Sequence, residues 1–126
     1  MRGGGRWRGV GLGHQAEGLA AAYLEGLGFS IIARNWRRPE CELDLVATRD
    51  DLCVFVEVRS RTGTEHGHPL ETIDARKRAR VRRAAALYIE AERPQSTLFR
   101  FDVVAVTFHA DMASHEVVHV EDAFEA

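Results

Sequence analysis

From Gly13 to Leu27 the residues Ala16, Leu19, Ala20, Tyr23, Leu24 and Leu27 recur at three- and four-residue intervals, which predicts one helix with an apolar stripe. Gly26 and Gly28 supply its stop. The rhythm then changes. Phe29 to Asn35 reads as a strand centred on Ile31 and Ile32, Cys41 to Thr48 as a second, and Leu52 to Arg61 as a third. The run Leu52-Cys-Val-Phe-Val-Glu-Val is of the kind a sheet buries on both faces. Only Arg49, Asp50 and Asp51 separate the second and third strands, so these form an antiparallel hairpin. Thr62 to Pro69 has no apolar period and predicts a mobile loop. Helical spacing returns from Thr72 to Glu92, with Ile73, Lys77, Val81, Ala84 and Tyr88 on one stripe, and Pro94 ends it. Leu98 to Phe108 is a fourth strand and Val117 to Val120 a weaker fifth. The order α-β-β-β-α-β-β, with a hairpin before the second helix, implies an α/β fold with a mixed sheet and helices packed on it.

Composition narrows the class. At 126 residues and 45% hydrophobic, the chain suits one globular domain, expected over residues 11–120 between a flexible Gly/Arg-rich arm (1–10) and a soft acidic tail (121–126). Two cysteines, Cys41 and Cys53, are too few for a disulfide scaffold or a four-cysteine zinc site and are expected as free thiols. No run is long and apolar enough for a membrane span, and the start has no secretory pattern, so a cytoplasmic protein with no membrane partner is expected. Net charge is only −2, but it is unevenly spread. Asp74 to Arg83 holds six basic residues and one acid, whereas His109 to the end holds five acids and no Lys or Arg. A polyanion would meet one side of such a molecule and avoid the other.

The hairpin carries the chemistry. Alternation places Cys53, Phe55, Glu57 and Arg59 on one side of the third strand, and Glu42, Asp44 and Val46 on one side of the second. With a two-residue turn at Asp50-Asp51, Arg49 faces Leu52, Asp44 faces Glu57 and Glu42 faces Arg59. Opposed Cβ atoms lie roughly 4.5–5.5 Å apart, where like charges repel. Two acids among Leu43, Leu45, Val56 and Val58 therefore need a cation, and oxygen donors of this kind suit Mg²⁺ or Mn²⁺. An arginine partner for Asp44, or a longer loop that shifts the register by one, are the alternatives. Glu17 lies beside the stripe of the first helix and faces the sheet or its rim, either toward this pair or as a solvated acid.

These residues fall in a known order. Gly13-x-x-x-Glu17, Ala20-x-x-Tyr23-Leu24, Ala33-Arg34-Asn35-Trp36-Arg37, Glu42-Leu-Asp44-Leu, Val54-Phe-Val-Glu57-Val-Arg59-x-Arg61, Arg76-Lys77 and Arg100-Phe-Asp-Val-Val104 resemble the YraN-type family (UPF0102). That family in turn resembles the Holliday-junction resolvase branch of the restriction-endonuclease-like nucleases. The resemblance implies a restriction-endonuclease-like mixed β-sheet with an antiparallel hairpin and flanking helices. It implies an Asp and Glu pair binding Mg²⁺ (Asp44 and Glu57), an assisting helical Glu (Glu17), and a lysine two residues after the second acid. That last position is Arg59, which can stabilise charge on the phosphate but, as a guanidinium that keeps its proton, cannot act as a base. Cys41 and Ala16 also stand where the family has glycine. Lys77, the sole lysine, is the candidate substitute; a stem merely snorkelling at the stripe edge is the alternative.

The expected function is therefore a metal-dependent endonuclease acting on DNA, branched or damaged, with Asp44, Glu57, the Val58 carbonyl and Glu17 around the ion and Arg59 and Lys77 beside it. The resemblance implies a homodimer. Arg61, Arg76, Arg80 and Arg83 would meet phosphates, and Trp36 would stack on bases or else pack at a strand end. The arm's Trp7 is a second stacking candidate. His66 and His68 lack a third ligand, and Asp102 reads as a structural hydrogen-bonding acid. A catalytically weak or inactive nucleic-acid-binding module on the same fold is the alternative, and a protein-interaction domain with no affinity for nucleic acid is a remoter one.

Overall fold

The computed structural model describes residues 4–63, 67–111 and 113–125, with the backbone alone for residues 4–10. Helix α1 (Gly4–Gly26) leads into strands β1 (Ser30–Arg38), β2 (Cys41–Arg49) and β3 (Leu52–Thr62). A 3-10 turn at Pro69–Thr72 precedes helix α2 (Ala75–Glu92), and strands β4 (Leu98–Phe108) and β5 (His115–Phe124) close the chain. The five strands form one sheet in chain order. All neighbours are antiparallel except β3 and β4, which α2 joins by the crossover that parallel strands require. The protein is thus α/β, a mixed sheet with an antiparallel hairpin and flanking helices, the class expected from its sequence.

The alternation of side chains along the strands feeds two cores, one per face. Val46, Phe55, Phe101 and Val103 pack under Val81, Ala84 and Tyr88 of α2. Leu45, Val54, Val104 and Val106 pack under Ala20 and Leu24 of α1. Both faces of β3 and β4 are therefore buried, which is why their sequences read as continuous apolar runs. Helix α2 starts where the Asp74 carboxylate accepts the Lys77 N–H at 2.9 Å, and ends at Arg93, whose left-handed φ of 49° turns the chain out.

Three expectations are corrected. Helix α1 begins at Gly4, so most of the expected arm is helical; no proline interrupts it, and glycine weakens a helix without ending it. Residues 1–3 lie outside those described, as do the side chains of residues 4–10, Trp7 among them. Of the loop expected over 62–69, residues 64–66, including His66, lie outside them too, and its end closes into the 3-10 turn, so α2 starts three residues after the expected Thr72. Most of the acidic tail is strand: β5 reaches Phe124, which is buried opposite Phe101 with the rings 4.9 Å apart. The charges of Glu121 and Asp122 hide this, because an edge strand tolerates polar residues that a central strand does not.

Candidate active site at the opened end of the hairpin

The β2–β3 ladder runs from Arg49↔Leu52 to Leu45↔Val56, the register that a two-residue turn at Asp50-Asp51 dictates. Its next rung would join Asp44 to Glu57, and there the regular pairing stops. The β1–β2 ladder is disturbed in the same row: Arg34↔Leu45 and Trp36↔Leu43 bracket Asn35, which stands beside Asp44 at a φ of +49°. Asparagine tolerates this left-handed conformation better than most residues. The disturbance breaks the alternation, so that Leu43 joins the α2-side core and Leu45 the α1-side core. Instead of a flat pair of opposed acids, the Asp44 Oδ2 accepts the Val58 N–H at 2.8 Å. Glu42 does not face Arg59 as expected but pairs with Arg37 of β1 at 3.4 Å.

A cleft of about 240 Å³ opens in this break, with Glu17 of α1, Asp44 of β2, Glu57 and Arg59 of β3 and Lys77 of α2 on its walls. Glu57 is only 4% exposed. Its Oε2 lies 3.2 Å from the Lys77 Nζ and 3.7 Å from an Arg59 guanidinium nitrogen. The stem of Lys77 follows the buried stripe of α2, and its ammonium reaches the acid. Burial, then the adjacent Glu57, push the Asp44 carboxyl up to about 8 against the opposing pull of the Val58 N–H. Asp44 therefore holds its proton more readily than it adds a second charge beside Glu57. Glu17 adds to the repulsion, and its Oε1 accepts the Asn35 Nδ2–H at 3.1 Å.

The donor set fits a hard divalent cation in part. Two carboxylates that repel each other in a buried cleft are oxygen donors suited to Mg²⁺ or Mn²⁺. Among the described residues, however, no three His, Cys, Asp or Glu side chains gather as a ligand set. Glu17 lines the same cleft as the pair. Asn35 holds it at the rim.

The remaining candidates scatter. Arg76, Arg80 and Arg83 are exposed on α2. Arg61 donates to the Gly67 carbonyl at 2.8 Å and so holds the loop beyond β3. Trp36 packs edge-on against Tyr88, with ring centroids 5.2 Å apart, and its Nε1–H meets Glu92 at 3.3 Å. Glu92 lies about 22 Å along α2 from Lys77, at 1.5 Å per residue. Trp36 therefore fills the packing role, and its ring is covered on another side by the Arg38 guanidinium at 4.0 Å. The His68 Nδ1 accepts the Leu70 N–H and caps the 3-10 turn. Asp102 is structural: burial raises its pKa, but His119, Arg100 and the Asp122 N–H together outweigh this and hold it below the usual value. Cys41 and Cys53 are free and buried. Asn35 escaped the reading of candidate residues. Its signals were an asparagine closing a strand pattern and a place in the Ala33-Arg34-Asn35-Trp36-Arg37 motif.

No helix among the described residues is long and apolar enough to cross a membrane. Comparison with known proteins places these residues in a wider set. The family model described as Uncharacterised protein family UPF0102 matches residues 16–106, which include Glu17, Asn35, Asp44, Glu57 and Lys77. A UPF0102 protein of Syntrophotalea carbinolica is 42% identical over 114 residues, covering 90% of this chain and 91% of its own. One from Pelotomaculum thermopropionicum is 42% identical over 113 residues (90% and 94%), and one from Clostridium perfringens strain ATCC 13124 is 34% identical over 113 residues (90% and 93%). Matched over most of its length by both model and relatives, the chain belongs to the UPF0102 family.

Proposed function

We propose that this protein is a divalent-metal-dependent phosphodiesterase that cuts DNA, with branched or damaged DNA as its substrate. The observation that carries the reading is the buried Asp44–Glu57 pair, set in a cleft with Lys77 and Arg59 beside it. Asp44 and Glu57, with the Val58 carbonyl, would hold the ion. When bound, such an ion offsets the repulsion of the acids, polarises a phosphate oxygen and eases the ionisation of water.

The chain's own side chains do the rest. Lys77 fixes the Glu57 carboxylate and, about a third exposed, keeps an ammonium free to donate to a phosphate oxygen. Arg59 offers lasting positive charge to the phosphate oxygens as oxygen adds to the phosphorus, and it accepts no proton. Glu17, oriented by Asn35, borders the cleft as a hydrogen-bond acceptor for water. In hydrolysis the oxygen of water forms a new P–O bond as the P–O bond to the departing sugar oxygen breaks, and a proton from that water ends on the sugar oxygen.

The test is incubation of labelled single-stranded, duplex, flap and four-way-junction DNA with Mg²⁺ or Mn²⁺, beside Asp44→Asn and Arg59→Lys. Cleavage that vanishes in Asp44→Asn and quickens in Arg59→Lys is expected. The pairing of Glu57 with two cations of the chain itself favours a second reading, a DNA-binding module on the same fold. Under that reading nothing is cut, and all variants bind DNA alike.

A further inference from the structure

A second, larger groove of about 480 Å³ adjoins the acidic cleft, and Glu42 and Lys77 line both. Its walls are the β1–β2 turn, with Arg37, Arg38 and Glu40, and the start of α2, with Lys77 and Arg80. Its charge is opposite to that of the cleft. Four cations face two carboxylates in the groove, Arg37, Arg38, Lys77 and Arg80 against Glu40 and Glu42. In the cleft four carboxylates, Glu17, Glu42, Asp44 and Glu57, face Arg59 and Lys77.

The arginines of the groove differ in how they are held. Arg38 is pre-placed: its guanidinium stacks on Trp36 at 4.0 Å and donates to the Arg37 carbonyl at 2.8 Å. A planar guanidinium fixed in this way loses little freedom when it meets a phosphate. Among the described residues the Arg37 side chain is tied only to Glu42, in an ion pair whose side chains are 69% and 38% exposed, and such pairs are weak enough for a phosphate to displace. No hydrogen bond or ion pair engages Arg80 among the described residues.

We infer that this groove seats the phosphates of one nucleic-acid strand next to the bond presented to Asp44 and Glu57. The strand passes between the β1–β2 turn and the start of α2, and Lys77 stands where the phosphate track enters the acidic cleft. Trp36 then serves as the platform for Arg38 rather than for a base. The assignment rests on the nucleic-acid reading of the cleft and adds the path of the strand. It sets Arg37, Arg38 and Arg80 apart from the exposed face of α2 that also carries Arg76 and Arg83.

The experiment measures binding of a fluorescent single-stranded oligonucleotide by anisotropy, in EDTA, over a range of salt concentrations. The full chain is compared with the triple variants Arg37→Gln/Arg38→Gln/Arg80→Gln and Arg37→Lys/Arg38→Lys/Arg80→Lys, and with Arg76→Gln/Arg83→Gln. Each phosphate contact on a single strand contributes roughly 0.7 to the slope of log affinity against log salt, so the glutamine triple should lose about two units of slope. The lysine triple should keep the slope, which also shows that the surface tolerates substitution, and Arg76→Gln/Arg83→Gln should leave it unchanged. An unchanged slope in the glutamine triple, a loss in Arg76→Gln/Arg83→Gln instead, or no salt-dependent binding by the full chain overturns the assignment. Because no divalent ion is present, the outcome is independent of cleavage. Lost slope without any nuclease activity upholds the groove and overturns the catalytic reading, and cleavage with an unchanged slope does the reverse.

Discussion

Asp44 is costly to the fold as a carboxylate. Burial and Glu57 raise its pKa from 3.8 to about 8, so the folded chain holds this proton more tightly than the unfolded chain does. Its favourable contribution is complete below the unfolded value and is lost as pH rises through the folded one. Asp44→Asn keeps an oxygen for the Val58 N–H and removes the charge. We expect the variant to be more stable than the parent by roughly 1–3 kcal/mol at pH 8, with a smaller gain at pH 5. Urea midpoints at the two pH values decide this, and an equal gain at both would contradict the raised carboxyl. Burial likewise pushes the Cys53 thiol up to about 11. The native protein should therefore leave Cys53 unlabelled by a thiol reagent at pH 8 and release it in denaturant. Rapid labelling of the Cys41→Ser variant in buffer would show that the β3 core is open.

At the scale of the element, the hairpin was legible and its defect was not. The two-residue turn fixes a register in which Arg49 faces Leu52, and every rung down to Leu45↔Val56 obeys it. Strand periodicity assumes that the ladder continues, and a local loss of pairing at Asn35 and Asp44 leaves no mark on hydrophobic spacing. The stripe of helix α2 was readable for the opposite reason, since it recurs every few residues, whereas its start was expected at Thr72 and lies at the Asp74 cap. The cap also ties the helix to the site, because the N–H that Asp74 accepts belongs to Lys77. Asp74→Ala should cost about 1 kcal/mol in urea unfolding. A loss of under a few tenths of that would show that the first turn is held by packing alone.

For the whole molecule, the two cores and the mixed sheet follow from the order of elements, but the closing strand does not. Phe124 sits in a polar stretch and is buried only because a register shift past Asp102 brings it opposite Phe101. The shift is fixed by groups far apart in sequence: Asp102 takes the Asp122 N–H and a His119 nitrogen, and His119 meets the Tyr23 hydroxyl of α1. Phe124→Ala should destabilise the chain by about 3–5 kcal/mol, in the range of buried aromatic truncations. A change below about 1 kcal/mol would mean that the end of β5 is dispensable, as its charges suggested.

Local rules determined what depends on neighbours in the chain: the helical stripes, the strand pairs, the turn, and the chemistry of Asp44, Glu57 and Lys77. The spacing of apolar residues states which face must leave water, and a two-residue turn admits one register. Tertiary structure alone decided what depends on separate elements meeting. It opened the ladder at Asp44, turned Glu17 to Asn35, set Lys77 against Glu57, and joined the acidic cleft to the arginines of the β1–β2 turn. Those contacts come from separate segments, and no periodicity within one segment records where another will be packed.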